Sequence, residues 1–458
     1  MRVSHVVSAV FDDPNLVSLG GLVPAVGLAQ RCGLHRLAAA RLTLRGEGSA
    51  NPEVKVAALV AGMVAGADSI DDMDVLRHGG MGRVFDQVRA PSTLGTFLRT
   101  FTFGHVRQLD AVAAGFVANL AAATPLLPGV EQVCFVDIDD TIRATHGYAK
   151  QGAGYGYTGV KGLNALLATV STPLAAPVIA ATRLRRGSTN SARGAARLVA
   201  DALVTAANAG ACGLRIVRAD SAYYGHDVIA AARRAGARFS VTARANPAVT
   251  TAIAGIDEQA WTPIRYPQAI FDAAEQRWVS DAEVAEVPFT AFTSRRTADH
   301  VTARLIVRRV KRLNPQTRDQ GELFAAYRYH AVFTDSPLSM LEAEACHRRH
   351  AIVEQVIADL KNGPLAHLPS GKFAANAAWL VLAAMAFNLT RATGCAAGGA
   401  HARATTATLR TQLIAVAARI ARSARRLVLH LPRDWPWQTG WQRLFAAACC
   451  GPPAAATP

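Results

Sequence analysis

The sequence predicts an α/β protein: a mixed sheet flanked by helices, with a β-rich insertion and helical regions at both ends. Three observations predict it. Two short apolar runs, 133–138 and 214–217, read as buried strands, and each leads into aspartate. Segments 191–209 and 224–235 carry helical patterns around the second run. Between 243 and 334 the pattern turns to alternation, as in VTARLIVRRV (301–310) and YRYHAVF (327–333). With 458 residues, 51% of them hydrophobic, the chain can build a large core and has length for roughly three domains.

Taken in order, residues 1–128 read as mainly helical, a DNA-binding or assembly region or a helical cap. One helix is expected to start at Pro91-Ser92-Thr93, with Leu94, Phe97, Leu98 and Phe101 at helical spacing and Arg83, Arg89, Arg99 and Arg107 nearby. Pro125, Pro128 and Gly129 mark a boundary. In 129–242, strands are expected at 133–138, 155–170, 177–184, 214–217 and 237–242. With the two helices they give the order β-β-β-α-β-α-β of a ribonuclease-H-like core. The β-rich insertion occupies 243–334. The core resumes at 335–395 with one long helix from about Ser339 to Lys361. The most apolar stretch, 373–387, is too short to cross a bilayer and contains Asn376, so it reads as a buried helix continuing to about 391. The remainder, 396–458, reads as a basic helical tail carrying Arg403, Arg410, Arg419, Arg422, Arg425 and Arg426.

The formal net charge is +16, and arginine dominates the cations. That excess favours a polyanion as partner, and guanidinium groups suit bidentate phosphate contacts. The seven cysteines form no C-x-x-C pair, which disfavours a zinc ribbon or a disulfide framework and suits reduced, cytosolic thiols. No secretory signal and no membrane partner are expected.

The chemistry concentrates at one helix and two strand ends. His347, His350, Glu354 and Lys361 are spaced by 3, 4 and 7 residues, one stripe at helical periodicity. Asp137 and Asp139 share one face of the first strand, Asp140 the other, and geometry does not separate the first two as ligands. Asp220 ends the second strand; the alternative role is a helix N-cap. Two aspartates at strand ends and a glutamate on a helix can hold two Mg2+ ions, hard cations that take carboxylate oxygen and phosphate. Lys361 and His350 would then contact phosphate. Zinc at Cys346, His347, His350 and Glu354 is disfavoured, because H-E-x-x-H is absent. Arg308, Arg309, Lys311 and Arg312 form a dense basic cluster expected to meet DNA. Trp261 and Trp278 read as sheet-core residues; Tyr155, Tyr157 and Lys161 read equally as DNA contacts or hairpin packing.

His347-x2-His350-x3-Glu354-x6-Lys361 resembles the Y-R-E-K signature of cut-and-paste insertion-sequence transposases of the D-D-E class. Asp139-Asp140-Thr141 resembles their first-aspartate motif, Arg218-Ala219-Asp220-Ser221 their second, and Asn388-Leu389 their C-terminal core helix; Arg185-x-Gly187 is also similar. The resemblance spans roughly 130–395 and is strongest to the group numbered thirteen-eighty. It implies Asp139, Asp220 and Glu354 as the catalytic, metal-holding triad, with Asp137 the runner-up. It also implies two Mg2+ ions, with Mn2+ able to substitute, and double-stranded DNA as substrate, both element ends and target. The implied reaction cuts at terminal inverted repeats and joins 3′-hydroxyl ends to target DNA, in a synaptic homodimer at the bacterial nucleoid in the cytoplasm. An insertion aromatic in such enzymes can stack on an extruded base. His347 and His350 stand where the family has tyrosine and arginine, so Arg348 is a further candidate phosphate contact. A catalytically inactive, transposase-derived DNA-binding protein and a Mg2+-dependent nuclease of the same fold are the competing expectations.

Overall fold

The computed structural model describes residues 5, 7–147, 149–265, 271–272, 277–278, 282–311, 327–423 and 426–450. It divides into two compact units, one of residues 127–144 and 153–357, the other of residues 1–126, 145–152 and 358–458.

The first unit is built on one sheet. Its elements are β1 (Val133–Ala144), β2 (Gly154–Tyr155), β3 (Lys161–Ser171), β4 (Val178–Arg186), α1 (Ala195–Asn208), β5 (Leu214–Ala219), α2 (His226–Arg234), β6 (Arg238–Thr242), β7 (Thr262–Ile264), β8 (Ala282–Ala291), β9 (Val301–Lys311) and β10 (Tyr327–Thr334). Strand order is β2-β3-β1-β5-β6-β10-β9-β8-β7, with β4 also on β3. β1, β3 and β4 run antiparallel, whereas β1, β5 and β6 run parallel. Parallel neighbours need long crossovers, and α1 and α2 precede β5 and β6. Each covers the sheet with one apolar face: Leu198, Val199, Ala202 and Leu203 on α1, Val228, Ile229 and Ala232 on α2. Residues 134–138 of β1 are buried, which is why that strand is a continuous apolar run rather than an alternating one.

The mixed α/β class and the β-β-β-α-β-α-β order therefore stand as expected, with two strands redrawn: β1 runs on to Ala144, so Asp139 and Asp140 lie within it rather than at its end. The stretch read as a single strand at 155–170 is two, β2 and β3, because a turn closes between them. The Gly159 amide donates to the Gly156 carbonyl at 3.1 Å, with Gly159 in the left-handed region at φ 70°. Apart from a two-stranded piece, Phe271–Asp272 with Arg277–Trp278, the described strands of the insertion continue the core sheet. Val332, Phe333 and Thr334 of β10 pair with Thr242, Val241 and Ser240 of β6, and β9, β8 and β7 continue outward.

After β10 the chain forms α3 (Met340–Arg348), a 3-10 turn (Arg349–Ala351) and α4 (Ile352–Lys361). Ser339 and Glu342 close a capping box at the start of α3. The long helix expected over 339–361 is thus broken, and the stripe of His347, His350, Glu354 and Lys361 does not lie on one continuous helix.

The second unit is mainly helical, with Leu22–Arg31, Pro52–Ala65, Pro91–Arg99 and Phe103–Ala123 among its helices. The helix expected at Pro91 is present and buries Leu94, Phe97 and Leu98. Helix Phe373–Ala397 packs against Phe103–Ala123 and Pro52–Ala65. It is longer than the sequence suggested and meets the length and apolarity for a membrane span; 89% of its most apolar window is buried inside the fold. Its polar groups are answered internally. The Asn376 side chain donates to the Ser370 carbonyl at 2.7 Å, and Trp379 Nε1 donates to the Pro364 carbonyl at 2.6 Å. The tail is not helical throughout. Ala418–Ser423 and Arg426–His430 form an antiparallel pair, extended by Leu16–Val17. Ala418 and Ile420 are buried and Arg419 is exposed, as on a half-buried strand.

Candidate active site

Three acids of β1 have separate surroundings. Asp137 is fully buried, with Oδ1 accepting from Arg218 Nε at 2.6 Å and Oδ2 from Arg218 Nη2 at 2.7 Å. Arg218 stands directly across the parallel ladder on β5. Burial raises the Asp137 carboxyl, and the guanidinium opposes that shift. Asp140 points to the other face, where Oδ2 accepts from Asn164 Nδ2 at 2.7 Å and from Arg185, and Oδ1 lies 3.3 Å from Ser191 Oγ. Arg185 also donates to the carbonyls of Ser191 and Arg193, both at 2.7 Å, so it ties the loop before α1 to the sheet. Asp139 is half-buried, and Oδ1 accepts the Asp140 amide at 2.7 Å.

Asp139 is also the acid that meets the others. Burial, then the charges of Asp220, Asp140 and Glu354, push its carboxyl up to about 7, against the lowering by the Asp140 amide. Asp220 follows β5, and Oδ1 accepts the Ala222 amide at 2.9 Å, capping the 3-10 turn Ser221–Tyr223. Its carboxyl is raised too, by burial first and by Asp140, while the Ala222 amide and His350 lower it. Glu354 is exposed in the first turn of α4. The Tyr223 hydroxyl is buried without a hydrogen-bond partner among the described residues; burial, then Asp140 and Asp139, raise it.

The sequence-expected phosphate contacts fare differently. His347 is buried, with Nδ1 3.0 Å from Ser240 Oγ and Nε2 2.9 Å from Thr242 Oγ1, so both ring nitrogens are engaged by β6 and neither faces a phosphate. His350 is half-buried, donates from Nδ1 to the His347 carbonyl at 2.8 Å, and lies against the His347 ring at 4.8 Å. Arg348 pairs with Glu344 at 2.9 Å, and Lys361 ends α4 half-buried.

In the basic cluster, Arg308 pairs with the buried Glu344 at 3.3 Å. Arg309 is buried, bridges Glu283 at 2.6 Å and Glu258 at 2.8 Å, and lies between Trp261 at 4.3 Å and Tyr327 at 4.6 Å. Arg309 therefore holds the sheet together rather than facing outward, and Trp261 packs on it. The side chains of Lys311 and Trp278, and Arg312 altogether, lie outside the described residues. Tyr155 and Tyr157 are exposed.

Residues 2–448 match the family described as "Transposase DDE domain group 1". The chain belongs to this family. A comparison with curated proteins gives no match. Among solved structures, the chain is similar to a piggyBac transposase in a synaptic complex with hairpin DNA. Identity there is 11%, coverage is 88% of this chain and 79% of that one, and the TM-score is 0.39.

DDE transposase domains in general use divalent metal ions. In this transposase-family chain the donor chemistry fits such an ion. Asp139, Asp220 and Glu354 offer hard oxygen, and the Asp139 and Asp220 carboxyls are raised by burial first and by neighbouring carboxylates second, a cost that a cation would relieve. Among the described residues, however, no three His, Cys, Asp or Glu side chains converge closely enough to hold an ion as they stand. The residues that sequence reasoning missed are Arg218, Asn164, Ser191, Glu344 and Tyr223. Only Arg218 was in view, as the first residue of Arg218-Ala219-Asp220-Ser221, and Arg215 on the same strand left nothing to single it out.

Proposed function

We propose that the chain is an insertion-sequence transposase of the group numbered thirteen-eighty. On this reading it cuts DNA at terminal inverted repeats and joins the freed 3′-hydroxyl ends to target DNA. Asp139, Asp220 and Glu354 would hold two Mg2+ ions, with Mn2+ as a substitute. The observation that carries the reading is Asp139, half-buried in β1 one residue past the end of its pairing with β5 and within the electrostatic reach of both Asp220 and Glu354, in a chain of this family. Asp137 is the weaker choice, since both its oxygens are committed to Arg218.

When bound, the ions would activate the attacking oxygen and stabilise the leaving one at the scissile phosphate. The protein's own part is to orient that phosphate and neutralise charge around it, to which the His350 ring and the cations Arg348 and Lys361 would contribute. The excess of +16 supplies the sequence-independent grip on duplex DNA. Residues 1–128 and 396–458 would contribute end recognition and the pairing of two copies in a synaptic homodimer, acting on the bacterial nucleoid.

Duplexes carrying the inverted repeats that flank the gene, incubated with the protein and Mg2+, test this. The wild type should nick the ends and join them to a second duplex. Glu354→Gln should bind the same duplex with unchanged affinity and cleave it about 10³-fold or more slowly. Wild-type cleavage rates in that variant would overturn the triad, and cleavage without joining would reduce the activity to a nuclease.

A further inference from the structure

The three acids assigned above come from β1, the end of β5 and α4, and one buried side chain of β5 touches β1 and the helix α3 that leads to α4. Arg218 belongs to β5, two residues before Asp220. It donates Nε and Nη2 to the two oxygens of Asp137 at 2.6 and 2.7 Å, on β1 two residues before Asp139. Its remaining terminal nitrogen, Nη1, donates to the carbonyl of Cys346 at 2.7 Å, in α3 just before the 3-10 turn that leads to Glu354. The guanidinium lies 4.1 Å from the centre of the Phe135 ring, and Cys346 packs with Phe135 and Ile216 of the same two strands.

We infer that Arg218 is a positioning residue that sets the spacing of the three carboxylates. A planar guanidinium presents its donors in a fixed fork, so bonds made from three of its nitrogens fix the β1 carboxylate and the α3 carbonyl relative to β5 in one plane. Stability does not account for it. A buried ion pair is often no better than apolar residues of the same volume, whereas it can specify a unique arrangement. The break in the helix strengthens the point. Because the 3-10 turn interrupts α3 and α4, Glu354 takes its position from where α3 is anchored, and the Cys346 carbonyl is at that anchor. Asp137 thereby has a role of its own: it is the counter-ion that keeps Arg218 charged and oriented.

This inference rests on the triad reading, and two variants of the full chain separate the two. In Arg218→Met with Asp137→Leu, the pair is replaced by apolar volume; in Arg218→Lys the charge stays and the fork is lost. Both are expected to fold, judged by circular dichroism and a cooperative thermal transition. Mn2+ binding, followed by electron paramagnetic resonance without DNA, should weaken about tenfold or more. Cleavage kcat should fall about 30-fold or more, while affinity for the same duplex stays within about twofold. Hydrogen exchange should quicken at the amides of residues 347–354. If the double variant does not fold, Arg218→Lys decides alone. A folded variant with wild-type Mn2+ affinity and exchange overturns the positioning role. A wild type that binds Mn2+ but cleaves no element end overturns the transposase reading instead, and the Mn2+ and exchange measurements still decide on Arg218.

Discussion

His347 shows how a residue's partners decide its charge. Burial pushes the imidazole from 6.5 down to about 3, helped by His350 and Arg218 and opposed by the Ser240 contact. A base depressed in the folded state is neutral there and takes a proton more readily when unfolded. Its contribution to stability is therefore present above pH 6.5 and lost as pH falls from 6.5 towards 3. His347→Gln keeps a neutral group able to reach the hydroxyls of Ser240 and Thr242. The stability difference between wild type and this variant should shrink by about 2 to 4 kcal/mol between pH 7 and pH 4. Urea unfolding at each pH measures it; a difference that stays constant with pH would show a histidine that charges freely in the fold. The same residue marks a limit of sequence reading. Spacing placed His347 on the stripe with Glu354, but it carries no information on what stands opposite. Asp137 and Asp139 were indistinguishable for the same reason, since alternation assigns a face and not a partner. The partner of Asp137 is set by register with Arg218 on another strand.

At the scale of elements, charge density was a poor guide to exposure. Strand β9 carries Arg304 as well as Arg308 and Arg309, the last two read from sequence, with Lys311 and Arg312, as a cluster meeting DNA. Across the antiparallel ladder Glu283 stands directly opposite Arg309, and Arg304 pairs with Glu286 at 2.6 Å. Cross-strand acids of this kind turn a basic run into part of the sheet. Arg309→Met should accordingly cost about 1 to 2 kcal/mol, because it takes the partner from half-buried Glu283 and removes the cation beside Trp261 and Tyr327, while exposed Glu258 stays hydrated. Chemical denaturation measures that loss. In the folded variant the dependence of duplex affinity on salt should be unchanged; a slope lower by about 1 would restore Arg309 as a phosphate contact. The α1, β5, α2 and β6 elements were legible, since each is a short run of one period with glycine at or near an end, whereas β1 was legible only over its apolar half, 133–138. The 3-10 turn at Arg349–Ala351 and the strand pair Ala418–Ser423 and Arg426–His430 were not, because their local patterns also suit a helix and tertiary pairing decides.

For the whole molecule, the consequential feature is that the insertion prolongs the sheet of the core. An insertion joined by two linkers could be removed with little harm. Here β10 covers the edge of β6 with three paired residues, and β9 and β8 follow it. The outer strands also carry the segment that leads to Glu354: Ala343 of α3 packs on Val284 and Ile306, with Leu338 and Met340 against them. Arg304 donates to the carbonyls of Ser336 and Leu338 at 2.9 and 2.6 Å, fixing the approach to α3. Excising residues 247–334 and bridging the gap with a flexible linker would expose one edge of β6 and the apolar face of α3 together. An uncovered strand edge and a stripped helix face both favour aggregation. The excised protein should therefore lose its cooperative thermal transition by calorimetry and fail to bind Mn2+. An excised protein that melts cooperatively near the wild-type temperature would mean that α3 and β6 hold their places without β8, β9 and β10, and that the position of Glu354 owes nothing to the insertion.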